Sequence, residues 1–393
     1  MARRRDSGVN YSSKFLSLGS PTGPIQNMPQ ADARLALIHD WLTQDLRMRI
    51  ERVEPASADA SFRRYFRVFR GGDALIVMDA PPDKEDVRPY LKVTGLLESL
   101  GVHVPHVHQA DSDRGLLLLE DLGGTHYLSQ LKNGADPDLL YGDALNALAD
   151  IQVKGAAAAA ELAPYDREPL HRELMLMPEW FFAKHLQVEL SASERELMMG
   201  TFEFLIREAL AQPQVFVHRD YHSRNLMVLE EGNPGVLDFQ DALRGPIGYD
   251  LVSLLKDCYI SWPRERVVGW VRDYGLQLKA RGFNAIRDEK EFLRWFDMIG
   301  LQRHIKVLGI FARLWYRDGK SGYLADLPLT LDYVREASSL YPELKEFSAF
   351  LESRVAPLLP RANAREMARA KAEQNDLASA VANAPAMQEK ARA

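Results

Sequence analysis

The sequence predicts an α+β fold of two lobes, in which a small mixed lobe precedes a larger, mainly helical lobe. The chain has 393 residues, enough for two separate hydrophobic cores. Apolar and polar residues alternate from residue 49 to residue 77, as in strands, whereas helical periodicity dominates beyond residue 125. The predicted divisions are a flexible extension at 1–30, a first lobe at 31–122, a helical lobe at 123–359 and a low-complexity tail at 360–393.

The first lobe is predicted to begin with a helix over residues 31–46, because the apolar residues from Leu35 to Leu42 recur at helical spacing. A second helix over 86–100 is expected to stop at Gly101. The glycine-rich segment Asp121–Gly124 then forms a natural hinge between the lobes. Strands are predicted at 50–53, 65–69, 74–78, 105–109 and 116–120.

The second lobe is dominated by helical patterns. The alanine-rich run at 155–160 is expected to be a connector. After residue 360, Ala, Glu, Lys and Arg dominate and large apolar residues are sparse, so this tail is predicted to be disordered or accessory. Helices are predicted at 137–153, 170–186, 193–211, 250–261, 263–281, 288–317 and 328–339.

Charged and amide side chains are concentrated in the segment His218–Asn225 and recur at Asp238, each time after a short apolar run that is typical of a buried strand. Transfer of a γ-phosphoryl group requires Mg²⁺ held against the phosphates and a carboxylate that orients the attacking hydroxyl and takes its proton. Asp220 fits that base, and Asn225 and Asp238 fit the Mg²⁺ ligands. The alternative is a loop whose Asp and Asn side chains bind only their own backbone.

These segments resemble the aminoglycoside phosphotransferase and choline kinase superfamily. The resemblance lies in Val217–Leu226 and in Leu237–Leu251, and no Ala-Pro-Glu signature of a regulated protein kinase follows Asp238. Within the superfamily, the chain is similar to bacterial kinases that phosphorylate the anomeric hydroxyl of the cell-wall sugars N-acetylmuramate and N-acetylglucosamine. That similarity extends over residues 35 to 356 and rests on the segments 61–68, 76–82, 164–166, 178–181 and 301–309.

The resemblance implies a protein-kinase-like fold, ATP and Mg²⁺ as cofactors, and a small amino sugar as substrate. It also implies that Asp241 and Asp250 fix the loop after the metal ligand, with Asp241 on the substrate side. Asp250 is further predicted to be the N-cap of the helix at 250–261. His218 and His222 are expected to hold the loop by bonding its backbone, because Asp220 already occupies the position of the base.

The nucleotide side departs from the kinase pattern. Residues 56–61 lie where a phosphate-covering loop is expected, and Ser57 and Ser61 could donate hydroxyl hydrogen bonds, yet the loop has no glycine and an ordinary hairpin turn is the alternative. The resemblance implies that the hinge from Glu120 to Leu122 offers its backbone to adenine. The lysine that kinases carry on the third strand is missing. The alternatives are a swapped pair of Asp79 and Lys92, a cation from Lys84, Arg63 or Arg64, or a solvated Lys92 without such a role.

The acceptor side is predicted on the helix at 288–317, where Arg303, Lys306, Arg313 and Arg317 share one sector. Such a face is usually solvated. The competing hypothesis is that Arg303, with His304 or Lys306, lines the acceptor pocket and binds the carboxylate of N-acetylmuramate. Three aromatic residues could form a wall against the sugar or simply pack in the core: Tyr165, Trp180 and Phe181.

Composition limits the other possibilities. A net charge of −6 and a pI near 6.0 give no electrostatic reason to expect a nucleic acid partner. Cys258 is the only cysteine, so an intrachain disulfide is excluded. No apolar run approaches the length of a membrane span, and a cytoplasmic location is expected. Two other functions stay open, namely a kinase of another small alcohol (choline, homoserine or aminoglycoside type) and a nucleotide-binding pseudokinase, and the oligomeric state is not indicated.

Overall fold

The computed structural model describes residues 32–58 and 62–390, with side chains placed for 32–56 and 62–375. The predicted extension at 1–30 and the loop residue Ser61 lie outside the described residues, and so does the side chain of Ser57. The described chain forms two compact units. The first contains the residues up to 126 together with 225–241, and the second contains 127–224 and the residues from 242 onward. The segment 225–241, which the sequence placed in the helical lobe, therefore belongs to the first unit.

The first unit is built on a five-stranded antiparallel sheet with the strand order β1-β2-β3-β5-β4. Asp32 caps helix α1 by accepting hydrogen bonds from the N–H groups of Arg34 and Leu35. The elements are α1 (Ala33–Asp40, continued by a π-helical turn at Trp41–Asp45), β1 (Arg52–Ala58), β2 (Arg64–Arg70), β3 (Asp73–Asp79), α2 (Arg88–Ser99), β4 (Val107–Asp111) and β5 (Leu116–Glu120).

One face of this sheet packs against α1 and the turn that follows it. The alternate residues Phe66 and Val68 of β2 are buried there with Val77 of β3, against Ile38 and Trp41. Because neighbouring residues of a strand point to opposite faces, Tyr65 and Arg67 lie on the other side. One face of the sheet therefore belongs to this core, and the other face also carries buried apolar residues, among them Met78 and Leu117, beside Tyr65 and Arg67.

The segment 225–241 is joined to the first unit by short strands and hydrogen bonds. Strands β7 (Leu226–Met227) and β8 (Gly235–Val236) pair with each other in antiparallel fashion. The N–H of Val228 donates to the carbonyl of Thr125 over 2.8 Å, and the N–H of Val236 donates to His103 over 2.8 Å. These contacts place Asn225 and Asp238 within the first unit.

The second unit is helical, apart from strands β6 (Gln214–Val217) and β9 (Leu243–Pro246), which pair with each other. Its helices are α3 (Tyr127–Lys132), α4 (Pro137–Lys154), α5 (Ala156–Ala160), α6 (Arg167–Leu174), a π-helical segment (Met177–Leu186), α7 (Ala192–Leu210), α8 (Gly248–Leu255), α9 (Arg264–Ala280), α10 (Glu289–Asp318), a 3₁₀ segment (Ser321–Asp326), α11 (Leu327–Ser339), a 3₁₀ turn (Pro342–Leu344), α12 (Lys345–Phe350), a π-helical turn (Leu351–Val355) and α13 (Leu359–Lys390).

Helix α10 runs through the middle of this unit, and nearly all of its side chains from Phe296 to Trp315 are buried. At Gly309 it approaches the segment before the π-helical stretch so closely that a Cβ atom would lie 2.3 Å from the carbonyl carbon of Leu176. Only glycine fits at such a distance. The helix ends at Gly319, which adopts a left-handed φ of 68°.

Several segments differ from the sequence prediction. The alanine-rich run expected to be a connector forms helix α5, and the helix expected at 250–261 ends at Leu255 as α8. The helix expected at 170–186 is α6 followed by a separate π-helical segment. The tail expected to be disordered or accessory is helix α13, and its first turns are buried. Asn363 bonds His185 and the carbonyl of Leu324, and Glu366 accepts from the indole N–H of Trp315 over 2.9 Å. Polar anchors, rather than the large apolar residues that the prediction required, hold this helix. Within the described residues, no helix is both long and apolar enough to span a membrane.

Candidate active site

The loop that follows β6 is held by a buried carboxylate on helix α8. Asp250 accepts hydrogen bonds from the backbone N–H of His218 over 2.7 Å and from that of Arg219 over 2.9 Å. Burial raises the pKa of Asp250 to about 7, although both backbone hydrogen bonds act to lower it. The prediction that Asp250 is a helix N-cap is wrong, because Ile247 occupies that position and Asp250 lies inside the first turn of α8.

A second buried carboxylate, Asp257, holds the other end of the same loop. It accepts from the backbone N–H of Ser223 over 3.1 Å and from the Ser223 hydroxyl. Its other oxygen accepts from the N–H of Tyr259 over 3.1 Å. The loop is therefore fixed at both ends by carboxylates, and its conformation does not depend on its own side chains alone.

Asp220 lies between these two anchors and is only partly buried. Its backbone N–H donates to Nδ1 of His218 over 3.3 Å, a backbone contact of the kind predicted for that histidine. His222 is buried with its ring edge toward Tyr259, and burial lowers its pKa, so the ring is neutral near pH 7. A neutral, enclosed imidazole is consistent with a supporting role for His222 and leaves Asp220 as the carboxylate of the loop.

Arg219, directly before Asp220, has a left-handed φ of 80°, which is uncommon for a residue other than glycine. Its buried guanidinium donates to Glu173 on α6 over 3.0 Å. Glu173 also accepts from the hydroxyl of Tyr165 and lies 3.3 Å from the ammonium of Lys306 on α10. The strained backbone at Arg219 is thus stabilised by an ion-pair network that connects the loop to two helices.

The predicted metal ligands come together in the first unit. Nδ2 of Asn225 donates to Oδ2 of Asp238 over 3.3 Å, although the two residues are 13 positions apart in the chain. Nε2 of Gln240 donates to the other oxygen, Oδ1, over 2.7 Å. Asp238 itself has a left-handed φ of 66°, which is a second backbone strain at a predicted site residue.

The donor set of this pair suits Mg²⁺. In the described residues no group of three or more His, Cys, Asp or Glu side chains could hold a metal ion. Mg²⁺ at kinase sites does not require such a group, since it binds through one or two protein oxygens together with substrate phosphates and water. A carboxylate from Asp238 and an amide oxygen from Asn225 are oxygen donors of that kind. The residues therefore fit the ion that the predicted chemistry requires.

The hinge residues predicted to face adenine are fixed by their neighbours. The carboxylate of Glu120 bonds Nε2 of His103 over 3.1 Å and the backbone N–H of His106 over 3.2 Å. Leu122 packs against β8, where a Cβ atom on Gly235 would lie 2.8 Å from its side chain. The roles of both residues toward a nucleotide stay predictions.

The alternative in which Asp79 on the strand pairs with Lys92 on the helix is wrong. Asp79 is fully buried and pairs with two arginines: Nε of Arg34 donates to it over 2.8 Å, and Nη2 of Arg64 donates over 2.6 Å. Lys92 is exposed on α2. Arg63, by contrast, is almost enclosed and lies 3.2 Å from Glu85.

On helix α10 the predicted basic face is solvated only at its C-terminal end, where Arg317 is exposed, whereas Arg303 and Lys306 are both buried. His304 is enclosed as well, and its Nε2 donates to the carbonyl of Lys256 over 3.0 Å while its ring lies against Tyr333. Tyr165, a candidate for an aromatic wall, is buried in the Glu173 network. Lys306, His304 and Tyr165 thus each have internal contacts, and the role of His304 toward a substrate stays a prediction.

Arg303 differs from its neighbours on α10. It is 5% exposed, its Nη1 lies 3.9 Å from Sγ of Cys258, and Nε has no hydrogen-bond partner among the described residues. Burial alone would lower its pKa, but nearby groups outweigh this effect and raise it, first Cys258 and then Tyr249, Asp220 and Asp257. Within the described part of the chain, this buried guanidinium forms no ion pair with a carboxylate.

Three residues of this arrangement were missed in the sequence: Glu173, Asp257 and Gln240. Gln240 lies two positions after Asp238, and this proximity was a usable signal. Glu173 lies in a segment with charged neighbours, and Asp257 is next to the lysine that ends α8, so both have the local pattern of surface residues. Only their contacts with residues 34 to 46 positions away distinguish them.

Comparisons with known proteins assign the chain to a family. The sequence pattern of the family described as phosphotransferase enzyme family matches residues 52–296. The chain is 49% identical over 300 residues to the N-acetylmuramate/N-acetylglucosamine kinase of Pseudomonas aeruginosa, which covers 76% of this chain and 87% of that protein. It is 42% identical over 334 residues to the protein of the same name from Pseudomonas putida, with 82% and 97% covered. The corresponding kinase of Neisseria meningitidis is 47% identical over 298 residues, with 75% and 88% covered.

Solved structures show a similar fold at low identity. An ADP-bound aminoglycoside phosphotransferase superposes with a TM-score of 0.52 at 14% identity, covering 78% of this chain and 99% of that chain. An ethanolamine kinase of Plasmodium vivax gives a TM-score of 0.53 at 12% identity, covering 82% and 97%. The predicted α+β class with a bilobal, protein-kinase-like fold is thereby confirmed.

Proposed function

The chain belongs to the phosphotransferase enzyme family, and from this membership we propose that it is an ATP- and Mg²⁺-dependent kinase that phosphorylates the anomeric hydroxyl of N-acetylmuramate and N-acetylglucosamine. The contact between Asn225 and Asp238 carries the proposal of phosphoryl transfer, since it brings two oxygen-bearing side chains together at the positions expected for metal ligands. The relatives named as kinases of these two sugars, at 42% to 49% identity, support the choice of acceptor.

Asp220 is proposed to orient the acceptor hydroxyl and to take its proton as the bond to phosphorus forms. The loop around it is suited to this task because Asp250 and Asp257 fix its backbone at both ends. Preorganisation of this kind spares the enzyme the cost of ordering the base during the reaction. An anomeric hydroxyl is more acidic than an ordinary alcohol, so a carboxylate is a sufficient base.

Asn225 and Asp238 are proposed to hold Mg²⁺, which when bound neutralises charge on the nucleotide phosphates. Gln240 keeps one oxygen of Asp238 in place through its 2.7 Å hydrogen bond, and this fixes the direction in which the carboxylate points. The Asp238 carboxylate and the Asn225 amide oxygen would each supply one ligand to Mg²⁺, and the phosphates of the nucleotide would supply further ligands.

Arg303 is proposed to bind the lactyl carboxylate of N-acetylmuramate. Its guanidinium is buried, its Nε lacks a partner among the described residues, and the charge of Asp220 acts on it. A planar guanidinium binds a carboxylate through two hydrogen bonds, and the carboxylate would supply the counter-charge that a buried cation requires. N-acetylglucosamine lacks this carboxylate and would gain nothing from the contact.

The test is ADP release in the presence of ATP and Mg²⁺ over a panel of acceptors that contains both amino sugars, choline, homoserine and an aminoglycoside. Turnover of the two N-acetylated sugars above all others is expected. Turnover of an amino alcohol or an aminoglycoside alone would establish a kinase of another acceptor. Nucleotide binding without turnover of any acceptor would indicate a pseudokinase and would overturn the proposal.

A further inference from the structure

Strand β3 carries no lysine, although kinases use a lysine on this strand to bind the nucleotide phosphates. In kinases a lysine on this strand contacts the α- and β-phosphates, pairs with a glutamate and lies near the metal-binding aspartate. Here the strand ends in Val77, Met78 and Asp79, which are completely buried. An aspartate stands at the strand end, and it is already neutralised by Arg34 and Arg64. The cation therefore has to come from another position.

Of the four basic residues that the sequence offers for this role, three are poorly placed. Arg64 is committed to Asp79 and to Asp32. Lys84 is about half exposed and pairs with the neighbouring Asp83 over 3.3 Å. Lys92 is exposed on α2. The remaining residue is Arg63, whose side chain is only 10% exposed.

Arg63 lies at the same end of the sheet as the missing lysine. It directly precedes β2, whose first residue Arg64 pairs with Asp79 at the end of β3. Because side chains alternate along an extended chain, Arg63 points to the face opposite Arg64 and the α1 core. Arg67, four positions further, lies on that face and binds both Asp121 and the carbonyl of Gly123 in the hinge segment. Arg63 thus shares a face with the residues that contact the hinge.

The neighbours of Arg63 match those of the kinase lysine. Its Nη2 donates to Glu85 over 3.2 Å, and the backbone of Glu85 is fixed by a 2.9 Å hydrogen bond to the carbonyl of Pro81. Burial alone would lower the pKa of Arg63, yet the neighbouring acidic groups, namely the Tyr65 phenol, Glu85, Asp238 and Asp241, outweigh this effect and raise it. A glutamate partner and the proposed metal-binding Asp238 therefore both act on this one guanidinium.

Helix α2, which follows Glu85, packs against the Asp238 segment. The rings of Tyr90 and Phe239 lie with their centroids 4.8 Å apart, so the chain around Glu85 and the chain around Asp238 are held together within the first unit. From this placement we infer that Arg63, oriented by Glu85, contacts the α- and β-phosphates of the nucleotide in place of the strand lysine. The inference rests on the proposed function in requiring a nucleotide, but it does not depend on which acceptor is used.

The chemistry of the side chain suits this role. A guanidinium stays charged at every physiological pH and presents its N–H donors in a rigid, planar fork, which matches the oxygens of a phosphate group. Arginine carries five N–H donors, so a single guanidinium can contact more than one acidic partner. A lysine has one compact ammonium group, so it would bind Glu85 and a phosphate at the same time less readily.

Isothermal titration calorimetry with Mg²⁺ tests the assignment. Arg63→Ala should weaken ATP and ADP binding by about 10- to 100-fold, the usual loss for a charge-assisted hydrogen bond, and should leave adenosine binding unchanged. Arg63→Lys should lose less than Arg63→Ala, because the charge is kept. The matched control is Arg64→Ala. The neighbouring Arg64 forms ion pairs with Asp79 and Asp32, so its removal should leave the affinity for ATP unchanged.

Unchanged ATP affinity in a folded Arg63→Ala protein would overturn the inference, and so would an equal loss for adenosine and ATP. If Arg63→Ala does not fold, Glu85→Gln provides a second test, because it keeps Arg63 and removes only its orienting charge. A measurable loss for ATP without a loss for adenosine is expected there, and no loss would count against the inference. Wild-type protein that binds ATP but phosphorylates no amino sugar would refute the proposed function and still allow the Arg63 comparison to be made.

Discussion

The carboxylate of Glu173 lies 3.0 Å from the guanidinium of Arg219, and both side chains are buried. The same carboxylate lies 3.3 Å from the ammonium of Lys306 on α10. A single carboxylate thus pairs with two buried cations, one of them directly before Asp220 in the chain. The arrangement connects the conformation of the loop to the packing of α6 and α10.

Glu173→Gln is expected to destabilise the protein by about 3–5 kcal/mol, because removal of one partner leaves buried charges without compensation. Activity should fall as well, since Arg219 would no longer be held in its strained conformation. The matched control is Glu168→Gln on the same helix, where an exposed glutamate pairs with Arg172 over 3.3 Å. That change should cost about 0–1 kcal/mol in urea unfolding. Equal unfolding curves for the two variants would show that the Glu173 network does not stabilise the fold.

Asp238→Ala should abolish the dependence of ATP binding on Mg²⁺. The physical reason is that Asp238 supplies the only carboxylate of the proposed metal pair with Asn225. Calorimetry of ATP binding with Mg²⁺ and with a chelator would measure the difference for both proteins. Asp113→Ala, an exposed aspartate of the same unit, is the control. Retention of a full Mg²⁺ effect in Asp238→Ala would exclude this residue as the ligand.

Arg303→Ala should impair phosphorylation of N-acetylmuramate far more than that of N-acetylglucosamine. Loss of a charge-assisted hydrogen bond costs roughly 1.5–3 kcal/mol, which corresponds to a difference of about 10- to 100-fold in kcat/KM. Arg317→Ala, on the exposed end of the same helix, should change neither value. If both sugars lose equally with Arg303→Ala, the guanidinium acts on the fold of the site and not on the carboxylate.

Much of the fold could be predicted because the responsible signals are local. Helix α4 was placed almost to the residue, since Asp136 caps it and Pro137 begins it. The order of Asp220, Asn225 and Asp238 was likewise visible in the chain. The burial of Arg303 and Lys306 was not, because a row of basic residues on one helix face has the pattern of a solvated surface. Their interior position depends on groups far away in the sequence, among them Glu173 for Lys306.

The buried histidines should lower the stability as the pH falls below about 6.5, the ordinary pKa of histidine, whereas Asp250, whose pKa burial raises to about 7, should act in the opposite direction. Burial, with help from the charge of Arg303, holds the pKa of His304 well below the ordinary histidine value in the folded protein. In this pH range the histidine is protonated in the unfolded chain but stays neutral in the folded chain. Each such histidine therefore lowers the free energy of unfolding by up to about 1.4 kcal/mol per pH unit. Burial also lowers the pKa of His185 and His222, and these contribute in the same direction.

His304→Gln should reduce this slope, because the amide keeps a donor for the carbonyl of Lys256 but does not titrate. Urea unfolding at several pH values between 5 and 7, fitted for the free energy of unfolding, measures the slope. His108→Gln, an exposed histidine, should leave the slope as it is. A slope that is the same in His304→Gln and in the wild type would contradict a neutral, buried His304.

The most direct measurement is phosphorus NMR of the product that the wild-type protein and Asp220→Asn form from N-acetylmuramate with ATP and Mg²⁺. We expect an acid-labile sugar 1-phosphate, which Asp220→Asn should form about 10²–10⁴-fold more slowly, because the general base has been removed while the shape of the side chain is kept. An acid-stable 6-phosphate would contradict phosphorylation of the anomeric hydroxyl. Formation of the 1-phosphate at the wild-type rate by Asp220→Asn would contradict the assignment of Asp220 as the base.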